Sequence, residues 1–365
     1  MKECKKCLLT EAYPGLSFNE EGICLMCASN QVFSPYGEDK LIRILETAKK
    51  RKRGEYDALV PLSGGKDSMY ILYLAVKEYK LKVLTMTYDN GFTNPLAVEN
   101  MNRAVEKMNV RHIVCKPDDD VLKRIYKNIF MLSGDVCGIC GIAMRTRMYK
   151  VAKDYGIPVV LLGTSPLEED SFLPDTTNDM VRFKYIMREA GCLSSKEIND
   201  FLIYPGLNFV KLSLAKRIGS FPKEVCPFFY LKNPSDKEMG EIIVKELDWK
   251  EDTNREYSKH FDCLIEPFTN YARYHIYGYE RRICQYSTMV RRGEITREKA
   301  AELYRSDCVM DKPANYQTIL NTLGMDEKEL DRSLKVKPLK YEKHISKMNK
   351  LAIMFMKFHK KTFRI

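Results

Sequence analysis

The sequence predicts an α/β protein built on a doubly wound parallel sheet, with a small metal-binding knob ahead of it and a mostly helical region behind it. Three observations carry this. From Tyr56 to Gly163 short apolar runs alternate with helical stretches, the pattern of parallel strands joined by crossover helices. Two Cys-x-x-Cys pairs, Cys4/Cys7 and Cys24/Cys27, precede the first strand. From about Glu251 the chain is rich in Tyr, Arg and Lys and reads as mostly helical.

Residues 1–32 form the expected knob. Cys4, Cys7, Cys24 and Cys27 lie around the turn signals Pro14-Gly15 and Glu21-Gly22, and four thiolates on two turns are what a tetrahedral structural zinc site needs. Iron, or thiols without a metal, are the alternatives. Residues 33–54 read as a helical connector whose Lys49-Lys50-Arg51-Lys52-Arg53 end is a solvated helix terminus, with phosphate contact as the alternative.

Residues 55–250 hold the sheet domain. Asp57–Leu62 reads as a buried strand, Asp67–Tyr79 as a helix and Lys82–Tyr88 as a second strand. Leu96–Met108 is helical, His112–Cys115 a short strand, Ile142–Tyr155 a helix and Pro158–Gly163 another buried strand. After Leu167 a polar stretch suggests an insertion. Val210–Leu214, followed by the helix that Ser235 opens with Glu238 as its capping-box partner, marks the return to the sheet. Residues 251–365 form the helical C-terminal domain with a lysine-rich tail, read as a terminal helix with one apolar face or, alternatively, as an RNA-backbone contact.

Composition bounds the function classes. The 365 residues, 45% hydrophobic and 30% charged, can bury a sizeable core. No run approaches the ~18 apolar residues of a membrane span, and Met1–Cys7 lacks the apolar stretch of a secretory signal, so no membrane association and a cytoplasmic location are expected. Twelve cysteines in so long a chain fit metal ligation better than a disulfide scaffold. The net charge of +11 suits nucleic acid, but equally an enzyme of nucleotides or nucleotide-linked sugars.

The loop Ser63-Gly64-Gly65-Lys66-Asp67-Ser68 falls where a strand runs into a helix, at the carboxyl edge of the sheet, where helix N–H groups and dipole attract an anion. Gly64 and Gly65 let backbone amides approach phosphate oxygens, Ser63 and Ser68 add hydroxyl donors, and Lys66 adds a mobile charge. The spacing is not that of an ordinary P-loop. The motif resembles the PP-loop of the ATP pyrophosphatase (adenine nucleotide alpha-hydrolase-like) superfamily, whose members bind the β- and γ-phosphates there and attach AMP to a substrate oxygen. That resemblance implies that ATP and Mg2+ are used, that Tyr88 and its neighbours at the second strand's end lie near the adenosine, and that Gly163 and Thr164 close over the α-phosphate. Asp67 and Asp170 are the expected magnesium or acid-base carboxylates.

Cys137-Gly138-Ile139-Cys140-Gly141 lies just before a predicted helix at the same sheet edge. With a third thiol, the pair could hold an iron-sulfur (4Fe-4S) cluster with one iron open. Cys226 is the expected third ligand, with Cys192, Cys263, Cys284 and Cys308 as fallbacks. Persulfide chemistry, a second zinc site and a purely structural role remain open.

Two more specific resemblances point to different chemistry. Cys4-Lys5-Lys6-Cys7, the run Pro14–Cys24, the loop and Gly293–Glu298 resemble the N-acetyl sugar amidotransferase family of surface-polysaccharide biosynthesis over roughly residues 1–310. That resemblance implies adenylation of an N-acetyl oxygen on a sugar, itself free or nucleotide-linked, and its replacement by ammonia from a separate glutaminase subunit. The loop and Cys137–Arg145 are instead similar to iron-sulfur-dependent tRNA thiolases, which implies a sulfur donor and thiolation of a tRNA base or small molecule. Amidotransfer is the first expectation and sulfur transfer the second. A zinc-knob nucleotide-binding scaffold without catalysis is a third. Tyr271–Arg282 could line the acceptor pocket or form an amphipathic core helix.

Overall fold

The computed structural model describes residues 2–13, 16–29, 34–134, 136–166, 180–206, 209–232, 234–251, 261–308, 310–335 and 351. Asp170 and, apart from Lys335 and Leu351, the lysine-rich tail lie outside them. The knob carries the short helix α1 (Leu25–Ala28), and the connector is helix α2 (Glu38–Arg51), which buries Leu41, Leu45 and Ala48 along one face. The alternation follows as β1 (Ala58–Pro61), α3 (Lys66–Tyr73) with a π-helical continuation over Leu74–Glu78, β2 (Val83–Tyr88), α4 (Pro95–Met108), β3 (Arg111–Cys115), α5 (Asp119–Ser133), α6 (Cys137–Asp154) and β4 (Val159–Leu161).

Helices α7 (Met180–Ala190), α8 (Ser195–Leu202) and α9 (Phe209–Arg217) precede β5 (Lys223–Val225), and α10 (Asp236–Leu247) closes this part. The C-terminal part comprises α11 (Glu266–Tyr277), α12 (Arg282–Arg291), α13 (Arg297–Asp307), α14 (Tyr316–Leu323) and α15 (Glu327–Ser333). Among the described residues no helix is long and apolar enough to cross a membrane.

The sheet runs β3-β2-β1-β4-β5 with every neighbour parallel. Ala58–Pro61 pair with Val83–Met86, and Leu59 faces Val160 on the other side. Successive strand side chains point to opposite faces. Ala58 and Val60 therefore enter one core with Met69, Leu72 and Trp249, while Leu59 enters another with Leu84, Met86, Tyr149 and Val160. Both faces are covered, as an all-parallel sheet requires, and β2 is buried at every position. Strand order reverses between β1 and β4, so a crevice opens at their carboxyl ends.

Two expectations change. Val210–Leu214, read as part of the return to the sheet, lies within α9. The return is made by β5, three residues long, whose Lys223 and Glu224 give no apolar run to read. Cys137 and Cys140 do not precede the next helix but form its first turn.

The C-terminal helices share a core with the sheet domain. Phe268 and Ala272 of α11, Ile319, Leu320 and Leu323 of α14 and Leu330 of α15 pack with Ile125, Tyr126, Ile129 and Phe130 of α5. The knob packs on α12 and α13 through Ile283, Tyr286, Ala300 and Leu303. Leu8 N donates to Ser287 Oγ at 3.2 Å, and Arg297 Nε to the Cys7 carbonyl at 3.3 Å.

Candidate active site

β1 delivers Leu62–Gly65 into the crevice, and α3 starts at Lys66 with no side chain capping it. Gly64 has φ +82°, and a Cβ there would stand 2.3 Å from the Ala97 carbonyl of α4. Only glycine fits without moving backbone. Hydroxyls close the loop: Ser63 N donates to Ser68 Oγ at 3.2 Å, Gly65 N to Ser63 Oγ at 3.3 Å, and Ser68 Oγ to the Gly65 carbonyl at 3.0 Å. The first turn of α3 thus presents its amides at the crevice in a loop of fixed shape.

Lys66 is 8% exposed, and its Nζ lies 2.5 Å from Asp236 Oδ1 and 3.3 Å from Asp67 Oδ1. Burial disfavours its charge, but the two carboxylates outweigh burial and hold its pKa above the ordinary lysine value. A cation is therefore kept buried at the loop. On the other side of the crevice, a Cβ on Gly163 would stand 3.1 Å from both Asp67 C and Ser68 N, so the chain after β4 touches the first turn of α3. Thr164 follows it, half-buried.

Ser63, Gly64, Gly65, Lys66, Asp67, Ser68 and Gly163 are therefore brought together. The ring of Tyr88 packs in the core with Phe92, Tyr126, Ile139 and Ile142, under the Arg147 guanidinium at 5.2 Å.

Three residues at the loop carry no local signal in the sequence. Asp236, the first residue of α10, reaches Lys66. Trp249 Nε1 donates to the Gly64 carbonyl at 2.9 Å. A Cβ on Gly65 would come within 3.2 Å of the Asp262 carboxylate. Trp249 is the chain's one tryptophan, and a buried indole with a hydrogen-bond partner is the available hint.

A second chamber lies beside the loop. Residues Phe261–Leu264 run along Phe92–Asn94: Asn94 N donates to the Asp262 carbonyl at 3.0 Å, Leu264 N to the Phe92 carbonyl at 2.7 Å, and Thr93 bridges Cys263. Asn90 Nδ2 donates to Cys140 Sγ and to Cys263 Sγ, each at 3.6 Å. The Cys137 thiol lies 3.8 Å from Thr269 Oγ1. Burial pushes the Cys140 thiol up and, reinforced by Cys137 and Cys140, lifts Cys263 to about 12. Cys226 opens the 3-10 turn Pro227–Phe229 after β5; Cys263, one of the fallback thiols, shares the Asn90 amide with Cys140.

In the knob, Cys4, Cys7, Cys24 and Cys27 are buried and their sulfurs all lie within 4.8 Å of one another. Lys6 N and Cys24 N donate to Cys4 Sγ at 3.4 and 3.2 Å. Four thiolates this close cannot all ionise without a cation among them, so the set fits a zinc knob.

Sheet order, a glycine loop at the switch point and a buried lysine at its helix define a doubly wound parallel α/β protein whose loop resembles a PP-loop. Residues 251–359 match the family model described as "LPS biosynthesis protein WbpG-like, C-terminal domain". The chain is 22% identical over 306 residues to the uncharacterized protein MJ1599 of Methanocaldococcus jannaschii, covering 82% of this chain and 91% of that protein. It is 29% identical over 84 residues to the 7-cyano-7-deazaguanine synthase of Leptospira biflexa, covering 21% of this chain and 34% of the synthase. Among solved structures, the U34-tRNA thiolase NcsA from Methanococcus maripaludis, with its 4Fe-4S cluster, aligns at TM-score 0.34 and 16% identity, over 83% of this chain and 89% of that one. The NMN synthetase from Francisella tularensis aligns at TM-score 0.30 and 16% identity, over 59% and 86%.

Proposed function

We propose that this protein is an ATP-dependent transferase that adenylates a carbonyl or amide oxygen of an acceptor sugar and exchanges that oxygen for nitrogen. The observation that carries the adenylation is Lys66, buried and charged at the mouth of a glycine loop whose helix amides face the crevice. The sugar acceptor is supported by the match of residues 251–359 to a domain of an LPS biosynthesis protein.

The β- and γ-phosphates would lie on Ser63–Ser68, with Lys66 moving from Asp236 to the phosphate oxygens and Gly163-Thr164 beside the α-phosphate. Mg2+ would neutralise the triphosphate next to Asp67 and Asp262. The acceptor amide oxygen attacks the α-phosphorus, the α–β anhydride bond breaks and pyrophosphate leaves. Ammonia then adds to the activated carbon, its nitrogen gives up one proton, and AMP departs with the original oxygen to leave an amidinium. A glutaminase subunit would supply the ammonia. Zinc in the knob would serve structure rather than chemistry.

Sulfur transfer is the second reading, favoured by the three thiols gathered one residue away from Asp262. The two share adenylation and differ in the nucleophile.

The test is release of AMP and pyrophosphate on addition of an N-acetyl sugar or its nucleotide-linked form, with ammonium ions supplied. Stoichiometric AMP with loss of the amide oxygen to AMP, traced by oxygen-18, supports the reading. ATP binding without acceptor-dependent AMP would refute it and leave a nucleotide-binding scaffold.

A further inference from the structure

We infer that Cys263, with Cys137 and Cys140, holds an iron-sulfur cluster in the chamber beside the phosphate loop, so that the C-terminal region supplies the ligand that completes this site. Cys137 and Cys140 stand three apart on the first turn of α6, hence on one face. They bring two sulfurs and need a third from elsewhere in the chain. Residues Phe261–Leu264 deliver it. Neighbouring residues of an extended segment point to opposite sides, so Asp262 turns to Gly65 while Cys263 turns to Asn90. A single Asn90 amide donates to both Cys140 and Cys263, so their sulfurs stand no farther apart than twice its 3.6 Å reach.

Two further features mark the chamber as built for a group that accepts hydrogen bonds. The hydroxyls of Tyr88 and Tyr126, residues 9% and 2% exposed, have no hydrogen-bond partner. Tyr126 approaches Cys140 and Tyr88 without hydrogen-bond geometry to either. Leaving a buried hydroxyl unpaired is costly, and the sulfides and thiolates of a cluster would accept from both. Positive charge is also at hand, since Arg281 acts on Cys140 and Arg147 lies over the Tyr88 ring.

The spacing distinguishes a cluster from a single ion. Among the described residues, the knob's four cysteines are the group whose ligand atoms all fall within 4.8 Å of one another. The three chamber thiols are set wider, as ligands to separate irons are. A cluster held by three cysteines leaves one iron free for a non-protein ligand. The inference goes beyond the adenylation reading and does not depend on it, because the cluster is detected without ATP.

The experiment is anaerobic purification of the full chain and of its Cys263→Ala and Cys226→Ala variants, with iron, sulfide and zinc measured on each. The wild type is expected to carry about four irons and four sulfides besides about one zinc per chain. Cys263→Ala should lose the iron and sulfide and keep the zinc, which reports an intact fold, while Cys226→Ala should keep all three. Iron retained in Cys263→Ala, iron lost from Cys226→Ala, or a wild type holding two zincs and no iron each overturns the assignment. If Cys263→Ala loses zinc as well, the near-isosteric Cys263→Ser decides: lost iron or a shifted paramagnetic spectrum supports the ligand role, and an unchanged spectrum refutes it. Lys66→Ala, which blocks adenylation alone, should leave the iron untouched, so failure here is distinguishable from failure of the ATP reading.

Discussion

Lys66 is placed so that its charge costs burial and is returned by Asp67 and Asp236. Replacing it with alanine leaves two partly exposed carboxylates, which water can solvate, so the fold should tolerate the change. Acceptor-dependent AMP formation should fall by about 100-fold or more, as when one preorganised group facing transition-state charge is removed, while the melting temperature barely moves. Retained turnover in a quenched-flow assay would refute the loop assignment. A different residue governs pH dependence. Glu280 is fully buried, neither of its oxygens has a hydrogen-bond partner, and burial, only partly offset by Arg282 and reinforced by Glu266, lifts its carboxyl from 4.5 to about 7. Between those values the native chain keeps a proton that the unfolded chain releases, so stability falls as pH rises through that window and levels off above about 7. The loss is on the order of 3 kcal/mol. Glu280→Gln should flatten the decline in urea unfolding between pH 5 and 7 and stabilise the protein at pH 8; an unchanged profile would mean that Glu280 ionises freely.

The strand–loop–helix unit of β1 and α3 was legible because its six residues are contiguous and each type has a local physical task. The two knob pairs were legible for the same reason, since spacing within a turn is a sequence property. Elements whose meaning depends on partners were not. β5 is three residues with polar Lys223 and Glu224, and Glu224 is held by Tyr149, Lys216 and Arg145 from other elements. α9 carries an alternation that suggested a strand, yet its chain is helical. Asp236, Asp262 and Cys263 reach the site from more than a hundred residues beyond the loop, by strand-edge pairing and helix placement that no short motif encodes. The element-scale prediction concerns Gly64. Its φ of +82° and the 2.3 Å approach of a Cβ to the Ala97 carbonyl combine strain with a backbone clash. Gly64→Ala should cost about 1–3 kcal/mol from conformation alone, more as α4 is pushed away, and should weaken ATP binding. Unaltered unfolding and nucleotide titration would show that the loop is more pliant than its geometry implies.

At the scale of the whole molecule, the knob and helices α12 and α13 are one packed unit. The knob's cysteines share a core with Ile283, Tyr286, Ala300 and Leu303, and Arg297 binds both Glu3 and the Cys7 carbonyl. The same C-terminal region carries α11, α14 and α15 into the core of α5 and sends Asp262 and Cys263 to the crevice. A metal in the knob is therefore linked to the site through α12 and α13, whereas the central sheet has cores of its own. Metal binding to four thiolates is folding free energy for a domain this small. Stripping the metal with a strong chelator should thus melt the knob and speed amide hydrogen exchange in α12 and α13, with a smaller effect along 261–264 and none in β1 and β2. Acceptor-dependent AMP formation should fall with the loosening of 261–264, while ATP binding at Ser63–Ser68 persists. Uniform loss of protection across the sheet would instead show a single cooperative unit, and the absence of any change in α12 and α13 would show that the knob's packing does not need its metal.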